Sequence, residues 1–492
     1  MVRRWESSWK LALGLGLAAA IVVVTAAPAA AQAPAAGQQA GPQITFHKDI
    51  EPILQRSCQR CHNPESIAPM SLLTYEQVRP FARAMKQRTA LRYAPWSRGV
   101  MPPWFLETNI GIQKMKDDNS LTDEQIAMIG KWADAGAPRG NPADAPPPIK
   151  LLGVGQWALG KPDLIVASPT IFIEAVASDW SGDLGKSPLG LTEDRFAKSA
   201  EFMEVRDLKN PKAAANLNGR YVFHHATTSI SGPDVVGEEI EEGESNVGPG
   251  RLPIHEVGRN ADVFPEDAGK FLPAGGFINW GSMHLHASGS PGSESYAKMT
   301  VGFRLHPVGY QATHNIQGFS FGRTQLQVDP LTSNNRDDAY FVAPQAMKIV
   351  NYEPHMHANG VRMCLQAIIG RAVETLNCSG YDHNWVRNYY YQENYQPLIP
   401  KGTVLHAIAW FDNTAKNGNV PDPRNLATFG NSSLSNMFIV FNLAEFLTDE
   451  QYVAEVTKRK EFLKLTGEEN IGCPACYLPL PRAGGAAAGG TN

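Results

Sequence analysis

The spacing of apolar residues changes character along the chain. Leu11 to Ala27 is an almost unbroken apolar run, and Ile44 to about Gly140 repeats its apolar residues at helical spacing. Thr122 and Gln125 form a capping-box pattern ahead of Ile126, Ile129, Trp132 and Ala133 on one helical face, with Gly136 and Pro138 as stops. Beyond the Pro-rich stretch Asn141 to Pro148 the period becomes two. Thr170 to Glu174, Val301 to Leu305 and Val404 to Trp410 alternate between Gly, Pro and Asn clusters, as antiparallel strands do. About 330 residues of this pattern exceed one sandwich of roughly 100 residues. The reading is a small all-α domain followed by two antiparallel β-sandwich, jelly-roll-like domains. Its boundaries are a signal peptide at 1–31, a disordered leader at 32–43, a helical domain at 44–140, a linker at 141–150, sandwiches at 151–345 and 346–470, and a tail at 471–492. Glu238 to Gly250, acidic and Gly-rich, reads as a surface loop.

Composition narrows the function classes. Among 492 residues, Lys+Arg 44 against Asp+Glu 48 and 43% hydrophobic content exclude a disordered chain and a nucleic-acid-binding charge balance. Gly 44 and Pro 36 fit a chain rich in strands and turns. Arg3, Arg4 and Lys10 before the apolar run, and Pro28-Ala29-Ala30-Ala31 after it, have the form of a cleaved secretory signal. An uncleaved anchor is the alternative. After cleavage no membrane association is expected, and the protein is placed in the periplasm or outside the cell.

The six cysteines sort by spacing. Cys58-Gln-Arg-Cys61-His62 is the pattern in which two thiols bind haem covalently and the histidine becomes an axial iron ligand. Met101, in a loop stiffened by Pro102 and Pro103, is preferred as the second axial ligand over Met70, Met85 and Met115. Cys364 and Cys378 flank a strand, a turn and a return strand, which favours a disulfide in an oxidising compartment. Cys473-Pro-Ala-Cys476 lacks a following histidine, and a local disulfide is preferred there.

Histidines cluster in three later places: His224-His225, Met283-His284-Leu285-His286, and His355-Met356-His357. Residues i and i+2 of a strand face one way, so His355 and His357 can grip one ion. A thioether such as that of Met437 selects copper over zinc. Core or surface histidines without metal are the bland alternative.

The order His-His, Met-His, His-x-His-x-x-Gly and Gly-x-Ser-Ser-x-x-x-Met resembles the copper type II, ascorbate-dependent monooxygenases, the group of peptidylglycine α-hydroxylating and dopamine β-monooxygenases. Here the elements are His224-His225, Met283-His284, His355 to Gly360, and Gly430 to Met437, spanning about Gly155 to Phe446. The front end, with Cys58 to His62, Ala68-Pro-Met-Ser-Leu and Met101-Pro-Pro-Trp104, is similar to the cytochrome c domain fused to bacterial relatives of that group.

The resemblance implies two copper ions and one haem c. His224, His225 and His284 would hold an electron-transfer copper, with His284 chosen over His286. His355, His357 and Met437 would hold the oxygen-binding copper that hydroxylates a C–H bond of a small organic molecule. Dioxygen and an external donor, an ascorbate-like reductant or a periplasmic redox protein, are the implied partners, and the haem would relay electrons. His255, His314, His383 and His406 match no family position and are read as structural. Where the peptide enzyme holds a substrate carboxylate, this chain has Glu353, Ile439 and Phe441, so an apolar or cationic small molecule is expected rather than a glycine-extended peptide. The competing reading is a haem and copper electron-transfer or copper-handling protein without oxygenase activity. A binding protein with vestigial ligands is less consistent with all the expected ligands being present.

Overall fold

The computed structural model describes residues 43–465, apart from 65, 67, 69, 92–99, 153–154, 178–179, 209–222, 234–245, 249, 257–260, 286–293, 384 and 433. The signal and leader segments, His286, Cys473, Cys476 and most of the acidic insertion lie outside the described residues.

Helices Glu51–Ser57, Ala82–Ala90 and Asp123–Asp134 surround a core of Phe46, Ile50, Leu54, Val78, Ile129 and Trp132. The expected capping box is present. Thr122 Oγ1 accepts from the Gln125 amide at 3.2 Å, and Gln125 Oε1 accepts from the Thr122 amide at 3.0 Å, satisfying two of the donors that a helix start leaves open. The same pattern starts helices at Thr74 and Thr448. After the last helix of this unit, Trp132 Nε1 donates to the Pro138 carbonyl at 3.0 Å and fixes the exit of the chain.

The remainder is built from antiparallel sheets around two cores. Strands Arg195–Leu208 and Ser295–Leu305 form a long ribbon facing Phe223–Ser231 and Phe277–Leu285, with Phe202, Trp280, Met299 and Phe303 buried between them. In the second core, His314–Gly322, Phe438–Leu447 and Ala346–Ile349 face a four-stranded sheet of Asn335–Val342, Val404–Phe411, Gly360–Ile369 and Ala372–Gly380. Phe319, Phe341, Leu365, Leu405 and Val440 fill this one. Of the three segments expected as strands, Val301 to Leu305 and Val404 to Trp410 lie wholly within Ser295–Leu305 and Val404–Phe411, and Thr170 to Glu174 contains the strand Ile171–Ile173. One feature exceeds the sequence reading. Ala268–Leu272 pairs in parallel with His314–Gly322, so a single twelve-stranded sheet runs behind both cores.

A segment inside the helical part of the sequence also joins the second core. Trp104, Leu106, Ile112 and Met115 are buried among residues of that core, at about 1.5–3 kcal/mol for each fully buried side chain. Leu106 bridges to Ser379 and Met115 to Tyr391, the Ile112 amide donates to the Leu376 carbonyl at 2.8 Å, and the Lys116 amide to Tyr390 O at 2.7 Å. Gly111 permits this contact. Its φ is +63°, and a Cβ would stand 1.8 Å from the Leu376 carbonyl oxygen. The buried Glu107 carboxylate pairs with Arg362 at 2.5 Å, and Arg362 lies over the Trp410 ring at 4.4 Å.

Cys364 and Cys378 sit directly opposite one another on paired strands and form the expected disulfide. Among the described residues no helix is long and apolar enough to cross a membrane.

Candidate metal centre

Neighbouring strand residues normally point to opposite faces, yet His224 and His225 serve one cluster. The pairing of Phe223–Ser231 with Phe277–Leu285 supplies the reason. His284 pairs with His225, but Leu285 pairs with Phe223, which makes His224 an extra residue. Such a bulge re-aims a side chain. Nδ1 of His225 lies 3.4 Å from Nδ1 of His224 and 3.3 Å from Nδ1 of His284. The three rings offer nitrogens all within 4.8 Å of one another, a grouping able to hold a metal ion.

His355 sits in the short strand Pro354–Met356, opposite Ile439 of Phe438–Leu447. His357 follows, its carbonyl accepting from the Gly360 amide at 2.9 Å, and both rings are buried. Continuing the register places Met437 opposite His357, so the alternation puts Met437, Ile439 and Phe441 on the face shared by the two histidines. Met437, Ile439 and Phe441 pack together with Ile254, and Phe441 lies 5.4 Å from His355. Glu353, on the same face by alternation, is buried, and one carboxylate oxygen accepts from Asn388 Nδ2 at 2.6 Å.

The two histidine sets adjoin one another. His225 and His355 have ring centroids 5.3 Å apart, and His355 and His357 5.5 Å. His383, which the sequence reading leaves as structural, closes the ring at 5.4 Å from His357 and 5.2 Å from His224. No sequence spacing marks it, because it comes from the turn after Ala372–Gly380 rather than from either histidine-bearing strand. Burial, then the charge that His284, His355, His224 and His357 would carry, holds His225 well below the usual imidazole range. His355 is pushed down to about 3 by burial, with His383 and His284 adding. Both rings are therefore neutral at ordinary pH, the form that ligates metal. The donors are imidazoles with a thioether beside them, a set that fits copper.

The haem motif follows the helix Glu51–Ser57, with Cys58 and Cys61 both unoxidised and partly buried. His62 Nδ1 lies 3.2 Å from the Met70 carbonyl oxygen. Donation there would leave Nε2 available to a metal, so the Cys58, Cys61 and His62 donor set is compatible with a covalently bound haem. Burial, with Cys61 adding, pushes the Cys58 thiol up to about 12. Burial also raises Cys61, opposed by the guanidiniums of Arg387 and Arg60. Among the four methionines considered for iron, Met85 fills the helical core and Met115 the core of the second sandwich. Met70 faces His62 through its backbone, and Met101 is 39% exposed at the start of its loop.

A second acid and histidine group joins His314, Glu445 and Asp267. Lys348 already occupies the buried Glu445 carboxylate at 2.9 Å, and His314 Nδ1 lies 2.9 Å from it. These contacts make it an internal ion network. His406 lies 2.6 Å from Asp338, in keeping with its structural reading.

No protein-family model matches the chain, and no curated protein does. Among solved structures, the naturally empty top component of cowpea mosaic virus aligns with 58% of this chain and 90% of its own at 10% identity and TM-score 0.27. The 11S allergen of Cocos nucifera covers 57% and 89% at 7% identity and TM-score 0.13. Oxalate decarboxylase W96Y of Bacillus subtilis covers 67% and 89% at 8% identity and TM-score 0.12. Likenesses at this level carry no inference about fold or chemistry.

Proposed function

We propose that the chain is an exported copper-dependent monooxygenase that hydroxylates a C–H bond of a small organic substrate. The observation that carries this reading is the meeting of half-buried His224 and buried His225 and His284 with buried His355 and His357, with Met437 on the face of the last two. His224, His225 and His284 would hold one copper ion, and His355, His357 and Met437 the second. Copper bound there supplies one-electron redox chemistry and activation of dioxygen. The overall change takes one dioxygen, two electrons and two protons, and yields the hydroxylated product and water.

The protein's own residues set the conditions. Neutral, buried imidazoles present lone pairs without bringing charge to the site, while Ile439 and Phe441 keep its near wall apolar. The Glu353 carboxylate favours a cationic or neutral substrate over an anionic one. Cys58, Cys61, His62 and Met101 would hold haem c, which would supply one-electron transfer. The chain after His383 carries Arg387, whose charge acts on the Cys61 thiol, and a relay of electrons between haem and copper is the proposed use of that stretch. The disulfide fits the periplasmic or secreted location.

Haem and copper per chain, measured by absorption spectroscopy and elemental analysis with oxygen uptake, test the proposal. One haem, two coppers and oxygen consumption matching reductant and product are expected, with the second copper lost in Met437→Ala. Redox cycling without oxygen uptake would establish the carrier reading instead, and absence of tightly held copper would end both.

A further inference from the structure

We infer that His383 is a copper ligand at the junction of the two histidine sets. This rests on the copper reading above. An imidazole nitrogen bound at about 2.0 Å puts its ring centroid about 3.2 Å from the ion, so two rings sharing an ion at tetrahedral or trigonal angles have centroids about 5.2–5.5 Å apart. His383 meets that condition toward both sets, at 5.2 Å from His224 and 5.4 Å from His357. The assigned pair His355 and His357 has the same spacing, 5.5 Å, as does His224 with His284, 5.2 Å, while His224 with His225 at 5.7 Å and His225 with His284 at 4.8 Å bracket it. His224, His225, His355, His357 and His383 thus form a closed circuit with every neighbouring separation between 5.2 and 5.7 Å.

The turn is built to hold this ring. His383 is 8% exposed. On one side the Trp385 amide donates to the Asp382 carbonyl at 2.9 Å, Asn419 Nδ2 donates to Asp382 Oδ1 at 3.2 Å, and the Tyr381 hydroxyl donates to the Met356 carbonyl beside His357. On the other, Asn388 is clamped between Asn351 and Glu353. Tyr381 and Asn388 thus tie the chain on either side of His383 to Met356, the residue between His355 and His357, and to Asn351 and Glu353.

The test uses the full, haem-loaded chain with copper. His383→Cys places a thiolate, a strong copper ligand, where the imidazole stands. The Cu(II) protein is expected to gain a thiolate-to-copper charge-transfer band and a narrowed copper hyperfine splitting in electron paramagnetic resonance, both absent from the wild type. His383→Gln, with an unchanged circular dichroism spectrum, is expected to weaken the binding of one of the two copper ions at least tenfold. Two coppers held at wild-type affinity in His383→Gln, with no thiolate signature in His383→Cys, would overturn the inference while leaving the copper reading intact. A wild-type chain that binds no copper would overturn that reading and the ligand together.

Discussion

A single extra residue lets two successive histidines face one centre. The His-His pair is visible in the sequence, but the bulge that turns His224 toward His225 is set by the register against Phe277–Leu285, and no local pattern encodes a register. His383 was illegible for a related reason, since its neighbours at 224 and 357 are assembled only by tertiary contacts. Lys270 is another residue whose state follows from its surroundings. It is wholly buried, donates to the Arg251 and Ile316 carbonyls at 2.6 and 3.2 Å, and burial, with Arg251 adding, lowers it to about 7. Because the unfolded chain keeps this proton up to about 10.4, it binds more protons than the native chain between those values. Stability should therefore rise with pH from 7 toward 10, by up to about 1.4 kcal/mol per unit from this group. Denaturant midpoints of Lys270→Met across that range should show the slope flattened by that amount; an unchanged slope would assign it to other groups.

At the scale of elements, helix caps and the disulfide were legible because each depends on a few adjacent or facing residues. The Cys364–Cys378 bond joins directly opposed positions at a sequence separation of 14, a loop for which chain entropy predicts about 3 kcal/mol. Cys364→Ala with Cys378→Ala should lower the unfolding free energy by that order, read from chemical denaturation. The strap from Trp104 to Lys116 was not legible, since its apolar residues suit a helical core as well as a sheet and only Leu376 and its neighbours reveal which one claims them. Gly111→Ala should release it, because the added methyl would meet a carbonyl oxygen. New proteolytic cleavage between Trp104 and Lys116 would show the release, and continued protection would mean that the backbone can shift without loss.

For the whole molecule, the change from helical to alternating pattern was enough to foresee a helical unit followed by antiparallel sheets. The continuous sheet was beyond reach, as it depends on a parallel pairing between Ala268–Leu272 and His314–Gly322. Arg387, 5.3 Å over Trp104 and in the stretch that follows His383, also acts through its charge on the Cys61 thiol. With haem and copper bound as proposed, rapid mixing that starts from reduced haem and oxidised copper should show haem oxidation at a rate independent of protein concentration. Reduced haem that survives beside Cu(II) would separate the two centres functionally.

The strap also dictates an order of events in synthesis. Ile112 leaves the ribosome long before Asn377, whose side chain donates to its carbonyl across a separation of 265 residues. Until then Trp104, Leu106 and Ile112 have no partner, and the apolar surface must wait in an unfinished chain. Completion of the front of the protein is thereby tied to the arrival of its last third. A fragment ending at the linker would carry that waiting surface permanently, and a fragment beginning after it would expose the groove that the strap fills.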